Sequence, residues 1–113
     1  MNFDPPLFDA NVVVMNILST LGNQERFRLY GIGITDANEK ELQWKYNEQY
    51  KDIVFFEETL DLEAAREVKK EACKYGLQSL PADPINQKGI WKNVYVRKLL
   101  EKEVFELENP DNI

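Results

Sequence analysis

The apolar and polar positions divide the first third of the chain into two short segments with a turn between them. Residues 11–20 form a nearly continuous run rich in valine, which favours a strand buried on both faces, with a helix as the alternative. Residues 21–25 are turn formers, and residues 26–29 alternate charged with apolar side chains, as half-buried strands do. We therefore expect an antiparallel pair joined by a hairpin, with the second strand running to Thr35.

A helix is expected directly after this second strand. Asp36 is a good N-cap residue, and Glu39 follows it at the spacing of a capping box. The helix should then run from about Ala37 to Lys51. Trp44 lies away from the apolar stripe of this helix, so it packs under a neighbouring element or is exposed.

A further strand and helix follow. Residues 53–56 are a compact apolar run that predicts a strand, and Asp61 is placed to cap the helix after it. Gly76 stands where a residue in the left-handed conformation ends many helices. The apolar face of this helix recurs every three or four residues and comprises Leu62, Ala65, Val68, Ala72 and Tyr75.

The last third of the chain begins with a loop rich in proline and glycine at residues 78–89. Residues 93–97 fit either a final strand or the start of the final helix, which continues to about Leu107. The two ends, residues 1–10 and 109–113, should be an extended segment and a frayed acidic tail.

Together these elements predict one domain over residues 1–113, of the α/β class in its two-layer α+β form. We expect a small, mostly antiparallel sheet with helices packed on it. A chain of 113 residues can bury roughly two-thirds of its unfolded surface. The sequence has 20 acidic and 14 basic residues, for a formal charge of −6. Because proteins that bind phosphates are usually basic, nucleic acid is the less favoured partner.

The residue types that are rare or missing limit the possible chemistry. Cys73 is the single cysteine, so an intrachain disulfide is impossible and a reducing cytoplasm is the expected compartment. Histidine is absent, which excludes Ser-His-Asp and Cys-His catalysis and a histidine zinc site. The chain begins without the basic and apolar regions of a signal peptide, and no apolar run reaches membrane-spanning length. We expect an intracellular protein with no membrane partner.

The glycines of the second strand mark one candidate site. Gly31 and Gly33 are separated by one isoleucine and followed by Thr35. Glycine inside a strand indicates a bulge, tight packing, or close approach of a ligand. In the last case Gly31, Gly33 and Thr35 would bind a nucleotide or a small anion at the N-terminus of the next helix.

The same stretch resembles the GIY-YIG nucleases. Residues 31–35, Gly-Ile-Gly-Ile-Thr, stand where these nucleases carry Tyr-Ile-Gly followed by Thr or Ser. Residues 84–86, Pro-Ile-Asn, are similar to their Pro-x-Asn, and residues 93–96 look like the closing strand of some members. The resemblance covers roughly residues 11–97.

The resemblance implies an endonuclease that uses magnesium or manganese. The glutamate that binds the metal in the family would be Glu71, which lies nearer the buried helix face than Glu67. Lys40 or Lys45 would supply positive charge in place of the family's arginine, and Asn86 would be the asparagine. Tyr30 would be the tyrosine, provided that a bulge at the next residue turns it into the site.

This chain also departs from the GIY-YIG pattern. Its first apolar run lacks Gly-Ile-Tyr, and Tyr30 stands one position early. Glu41 lies close to the place of the family's arginine, where a carboxylate would repel a phosphate. These departures favour a non-catalytic protein that needs no cofactor.

Acidic residues offer a second kind of candidate site. Such clusters are either solvated surface or a docking surface that presents carboxylates to a basic groove. Trp44 and Trp91 are candidate aromatic anchors for docking. The acidic cluster around the helix after residue 60 comprises Glu57, Glu58, Asp61, Glu63 and Glu67.

Our leading hypothesis is therefore a non-catalytic intracellular interaction module on a GIY-YIG-like scaffold. It would dock its acidic surface on a protein partner with a basic surface, as an inhibitor or mimic acting on a nucleic-acid-processing system. The alternatives are a metal-dependent endonuclease and a protein that binds a nucleotide or a small anion.

Overall fold

The computed structural model describes residues 9–48, 53–81 and 90–108. The helices are α1 (Ala10–Leu21), α2 (Glu39–Glu48), α3 (Leu62–Cys73) and α4 (Glu101–Glu108), with a 3₁₀ helix at Gln24–Leu29. The strands are β1 (Tyr30–Thr35), β2 (Ile53–Glu58), β3 (Gln78–Ser79) and β4 (Asn93–Lys98). Four sequence predictions lie outside the described residues: the extended segment before residue 9, the helix end at Lys51, the loop with Asn86, and the acidic tail at 109–113.

The four strands form one mixed sheet in the order β2-β4-β1-β3. β4 is antiparallel to both of its neighbours, whereas β1 and β3 are parallel. The prediction of a small, mostly antiparallel sheet with helices packed on it is confirmed. Residues 93–97 belong to β4, which pairs with β1 from Tyr30 opposite Lys98 to Thr35 opposite Asn93.

The N-terminal apolar run is a helix, so the prediction of a strand there is wrong. Asp9 caps this helix by accepting a hydrogen bond from the Asn11 amide at 2.9 Å. Val12 and Met15 lie on the opposite side and are exposed. Within the valine-rich run, the buried residues follow the spacing of one helix face: Val13, Val14, Ile17 and Leu21.

The predicted hairpin is also wrong. After α1 the chain enters the 3₁₀ helix Gln24–Leu29, which Asn23 caps by accepting from the Glu25 amide at 3.0 Å. The first strand therefore begins at Tyr30 instead of Arg26. α1 packs against α3 and does not pair with β1.

The capping box of α2 lies two residues later than predicted. The Asn38 side chain accepts from the Glu41 amide at 2.9 Å, and the Glu41 side chain accepts from the Asn38 amide at 3.3 Å. Asp36 is buried. The Thr35 hydroxyl accepts from the Ala37 amide, so residues 35–37 form a tight turn before the helix.

Helix α3 begins as predicted. Asp61 accepts from the Ala64 amide at 2.8 Å, which confirms it as the N-cap. Gly76 has φ of 114°, and Leu77 after it is buried. Tyr75 was expected on the buried face but is exposed, because the helix ends at Cys73 and a turn follows.

Apolar side chains form a core on each face of the sheet. α1 and α3 cover one face, where they meet Ile32 and Ile34 of β1 and Val94 and Val96 of β4. The other face carries a smaller core that includes one residue from α2 and one from α4. Its buried members are Leu42, Leu80, Tyr95, Leu99 and Val104.

Gly31 and Gly33 leave room for two of these buried side chains. A β-carbon on Gly31 would lie 2.7 Å from Leu80, and one on Gly33 would lie 2.6 Å from the Tyr95 ring. The pairing of β1 with β4 is continuous through both glycines. The bulge at Gly31 that the nuclease resemblance would require is therefore absent, and the register shift in the sheet occurs in β2, between Ile53 and Phe55.

A buried ion pair ties α4 to the sheet. The two terminal nitrogens of Arg97 donate to the two carboxylate oxygens of Glu103, at 3.1 and 2.9 Å. Glu103 also accepts from the Leu100 amide at 3.0 Å. Since Arg97 is only 5% exposed, this two-pronged contact provides the counter-charge that a buried guanidinium requires.

Replacing Gly33 with alanine should lower the free energy of unfolding by about 2 kcal/mol, the usual cost of overpacking a core. The added methyl group clashes with the Tyr95 ring, which is 1% exposed and has little room to move. Urea denaturation measures the loss. The Gly33→Ala/Tyr95→Leu double variant should lose less than the sum of the two single losses, because leucine vacates the clashing position. If the losses in free energy of unfolding were strictly additive, the added methyl group would not be clashing with the Tyr95 ring.

Replacing Glu103 with glutamine should cost about 2–3 kcal/mol, because the buried Arg97 charge then faces a neutral side chain. Glu101→Gln is the matched control, since Glu101 is exposed on the same helix. We expect the control to change stability by no more than about 0.5 kcal/mol. Equal denaturation midpoints for the two variants would show that the ion pair does not hold α4 in place.

Candidate functional site

Helix α3 distributes its side chains over three faces. The first packs into the core and consists of Ala64, Ala65, Val68 and Ala72. The second recurs at helical spacing about a quarter turn away and comprises Leu62, Arg66, Lys69 and Cys73. The third carries the acids Glu63, Glu67 and Glu71. Arg66 and Lys69 thus lie apart from the acids, whereas Lys70 lies between the second and third faces and Lys74 lies among the acids.

The basic face of α3 borders a cavity of about 680 Å³, which we call the α3 groove. Its volume lies within the range of small-molecule sites. Part of the lining comes from outside the helix: Ile34 of β1, Ser79 of β3, and Trp91 just before β4. The helix contributes Leu62, Arg66, Lys69, Lys70 and Cys73.

The charge of the α3 groove is opposite to the charge of the whole chain. Among the described residues that line it, three side chains are basic and none is acidic, whereas the chain carries a net charge of −6. Arg66 and Lys70 are exposed, and neither forms an ion pair with residues 9–48, 53–81 or 90–108. Their positive charges are therefore available to a bound anion.

Lys69 and Cys73 are half-buried at the inner side of the groove. The Lys69 ammonium donates a hydrogen bond to the Leu80 carbonyl. Burial lowers the pKa of Lys69, and the neighbouring Cys73 opposes this. Burial raises the pKa of the Cys73 thiol, and the Lys69 charge partly offsets that shift.

The glycine site predicted from the sequence lies in the centre of the sheet. Gly31, Gly33 and Thr35 are all buried, and the side-chain space above the glycines is filled by Leu80 and Tyr95. Thr35 holds the turn into α2 by accepting from the Ala37 amide at 3.1 Å. The contacts of these three residues are thus internal to the fold.

The residues that the nuclease resemblance implies lie in separate places. Tyr30 is buried in the core under α1 and α3. Lys40 is exposed on α2, which packs on the opposite face of the sheet. Glu71 lies on α3 and pairs with Lys74 at 2.8 Å. The structure does not bring these three side chains together, and Asn86 is outside the described residues.

The predicted partner-binding residues lie in three places. Trp44 is 69% exposed on α2, on the opposite side of the sheet from α3. Trp91 is half-buried and lines the α3 groove. The acidic members lie together along the end of β2 and the start of α3: Glu57, Glu58, Asp61, Glu63 and Glu67.

Sequence reasoning missed the basic residues of the groove. Arg66, Lys69 and Lys70 are spaced three and four apart on a helix that was predicted, so their common face was within reach of the sequence pattern. The wall opposite, formed by Ile34 and Trp91, comes from distant parts of the chain and leaves no local signal.

The described ranges lack both a cluster of metal-binding side chains and a membrane-spanning helix. Those residues contain no group of three or more Cys, Asp, Glu or His side chains able to hold a metal ion. None of the helices in the same ranges combines the length and apolar character needed to cross a bilayer. No family model, curated protein or solved structure matches this chain.

The raised pKa of Cys73 should shift its alkylation to higher pH. Since the thiolate reacts and burial disfavours it, the rate with iodoacetamide should reach half its maximum above the pH found for a free cysteine. Lys69→Met removes a nearby positive charge and should move the midpoint higher still. Lys74→Met, on the acidic face, is the control and should leave it unchanged. A midpoint below that of free cysteine would contradict the buried position.

Proposed function

We propose that this chain is a non-catalytic interaction module that binds a protein partner with a basic surface. The observation that carries the proposal is a rigid turn that presents Leu60, 70% exposed, between acidic residues. We call this surface the acidic tip. It consists of Glu58, Leu60, Asp61, Glu63, Glu67 and Ile90.

Hydrogen bonds to a distant strand end support the rigidity of this turn. The Thr59 amide donates to the Lys92 carbonyl at 2.9 Å, and the Thr59 hydroxyl donates to the carbonyls of Lys92 and Asp61. Thr59 itself is 5% exposed. A turn that is already fixed loses little conformational entropy when a partner binds, so Leu60 is well placed to act as an apolar anchor.

A second apolar side chain lies beside the same turn. Ile90 is 68% exposed, and its carbonyl accepts from the amide of Lys92, whose own carbonyl accepts from the amide and the hydroxyl of Thr59. Scattered exposed apolar residues are common on protein surfaces. Leu60 and Ile90, however, flank the two residues that are hydrogen-bonded to each other, Thr59 and Lys92. This arrangement favours an apolar contact with a partner that involves more than one side chain.

The charges of the acidic tip favour a basic partner. Glu58 is paired with Lys92 at 2.6 Å, and Asp61 is engaged as the N-cap of α3. Glu63 and Glu67 are exposed one helical turn apart on α3. Opposite charges across an interface accelerate association and select partners. The partner class that we propose is a protein of a nucleic-acid-processing system, whose basic groove this chain would occupy as an inhibitor or mimic.

Reversing two charges should separate this proposal from non-specific association. Glu63→Lys/Glu67→Lys is expected to weaken binding to the captured partner by about tenfold or more, because attraction becomes repulsion. Glu25→Lys/Glu101→Lys makes the same change in net charge at exposed sites near the opposite end of the sheet, where Tyr30 pairs with Lys98, and it should bind like the wild type. Affinity capture from the native host identifies the partner, and titration with each purified variant gives its affinity.

Two results would contradict the interaction module. The first is capture that returns no stoichiometric protein partner, or a partner whose affinity falls equally for both double variants. The second is cleavage of plasmid DNA by the wild-type chain with magnesium or manganese that Glu71→Ala abolishes. That outcome would favour a metal-dependent endonuclease over a non-catalytic interaction module.

A further inference from the structure

The α3 groove has an apolar wall and a basic rim. Ile34, Leu62 and Trp91 contribute apolar surface from a strand, a helix and the segment before β4. Arg66 and Lys70 are exposed on the helix that borders this wall. A ligand that satisfies both parts must carry an apolar body and a negative group.

Trp91 favours a flat ring as the apolar body. Indole and other aromatic surfaces stack well on planar rings, and each stacking contact adds substantially to affinity. Arg66 favours an oxyanion as the negative group, because a guanidinium donates two parallel hydrogen bonds to a phosphate or carboxylate. Lys70, four residues further along α3, adds a second charge on the same side of the helix.

The size and surroundings of the groove limit the ligand to a small molecule. A cavity of about 680 Å³ accommodates a ring, a linking group and an oxyanion. A nucleic-acid strand would extend beyond the groove toward the acids of α3, Glu63 and Glu67, and toward a chain of net charge −6. Repulsion between like charges therefore disfavours a polyanion, whereas a single small anion contacts only the basic rim.

We infer that the α3 groove binds an aromatic organic anion of nucleotide size, with its ring against Trp91 and its oxyanion at Arg66 and Lys70. Arg66 and Trp91 line the groove on a different face of α3 from Glu63 and Glu67, Lys70 lies at the border between the two faces, and the site does not depend on the proposed protein partner. Nucleoside monophosphates and aromatic carboxylates share the required chemistry. The ligand class is thus defined by a planar ring and an oxyanion, and the test distinguishes nucleoside monophosphates from aromatic carboxylates.

The test uses the fluorescence of Trp91. Trp44→Phe removes the other tryptophan, which is exposed on α2, so that the remaining signal reports on the groove. The probes are adenosine monophosphate, indole-3-carboxylate, adenosine and inorganic phosphate. We expect saturable quenching by at least one of the first two, and at least tenfold weaker binding of adenosine and of phosphate.

Charge neutralisation supplies a matched pair of variants. Arg66→Gln/Lys70→Gln should weaken binding of the aromatic anion at least tenfold and remove most of its dependence on salt. Arg26→Gln/Lys98→Gln removes one arginine and one lysine at exposed positions and should bind as before. Lys98 pairs with Tyr30 across the sheet. Tyr30 is four residues from Ile34, the groove residue of β1, so Lys98 lies about 13 Å from the groove along the strand direction.

Alkylation of Cys73 gives a second readout that does not depend on fluorescence. A ligand in the groove should slow the reaction of this half-buried thiol with iodoacetamide at saturating concentration. Binding of phosphate as tight as that of the aromatic anions would mean an adventitious ion only, and the inference would fail. It would also fail if neither aromatic anion quenched Trp91, or if both double variants lost affinity equally. None of these results bears on capture through the acidic tip.

Discussion

The contact between the Tyr95 ring and the bare backbone of Gly33 is the constraint on which the sheet depends. Tyr95 is among the largest fully buried side chains in the described chain, and it lies on β4, one of the two interior strands. Its neighbours Val94 and Val96 point to the other face and join the core under α1 and α3. β4 therefore contributes to both cores, and it keeps its register with β1 because residue 33 has no side chain.

The segment that leads into β4 connects this constraint to both candidate surfaces. Trp91 lines the α3 groove, whereas Ile90 is exposed beside the Leu60 turn. Lys92 accepts the bonds from Thr59 and pairs with Glu58. Three consecutive residues thus belong to the α3 groove, to the proposed acidic tip and to the hydrogen-bonded turn between them. Their positions are set by the pairing of β4 that begins at Asn93.

Local signals in the sequence predicted the parts of the fold that depend on local physics. Asp61 and Gly76 mark the beginning of α3 and the turn after it because capping is a matter of a few neighbouring residues. The prediction of a strand at residues 11–20 was wrong because a run of valines has the composition of a strand. The helix is selected by packing of its apolar face against α3, which the local composition does not show. The groove was beyond prediction for a different reason. Ile34 and Trp91 are far apart in sequence, and the sheet alone brings them beside α3.

The edges of the sheet have a consequence for how copies of the chain behave together. Among the described residues, β3 is only two residues long, and β2 carries a register shift and ends in Glu57 and Glu58. Short strands, irregular backbone and charged ends all hinder the addition of a strand from another molecule. Leu60 is exposed in the turn after β2, outside the sheet, so in the described residues an apolar side chain reaches the surface without an open strand edge beside it that would favour aggregation.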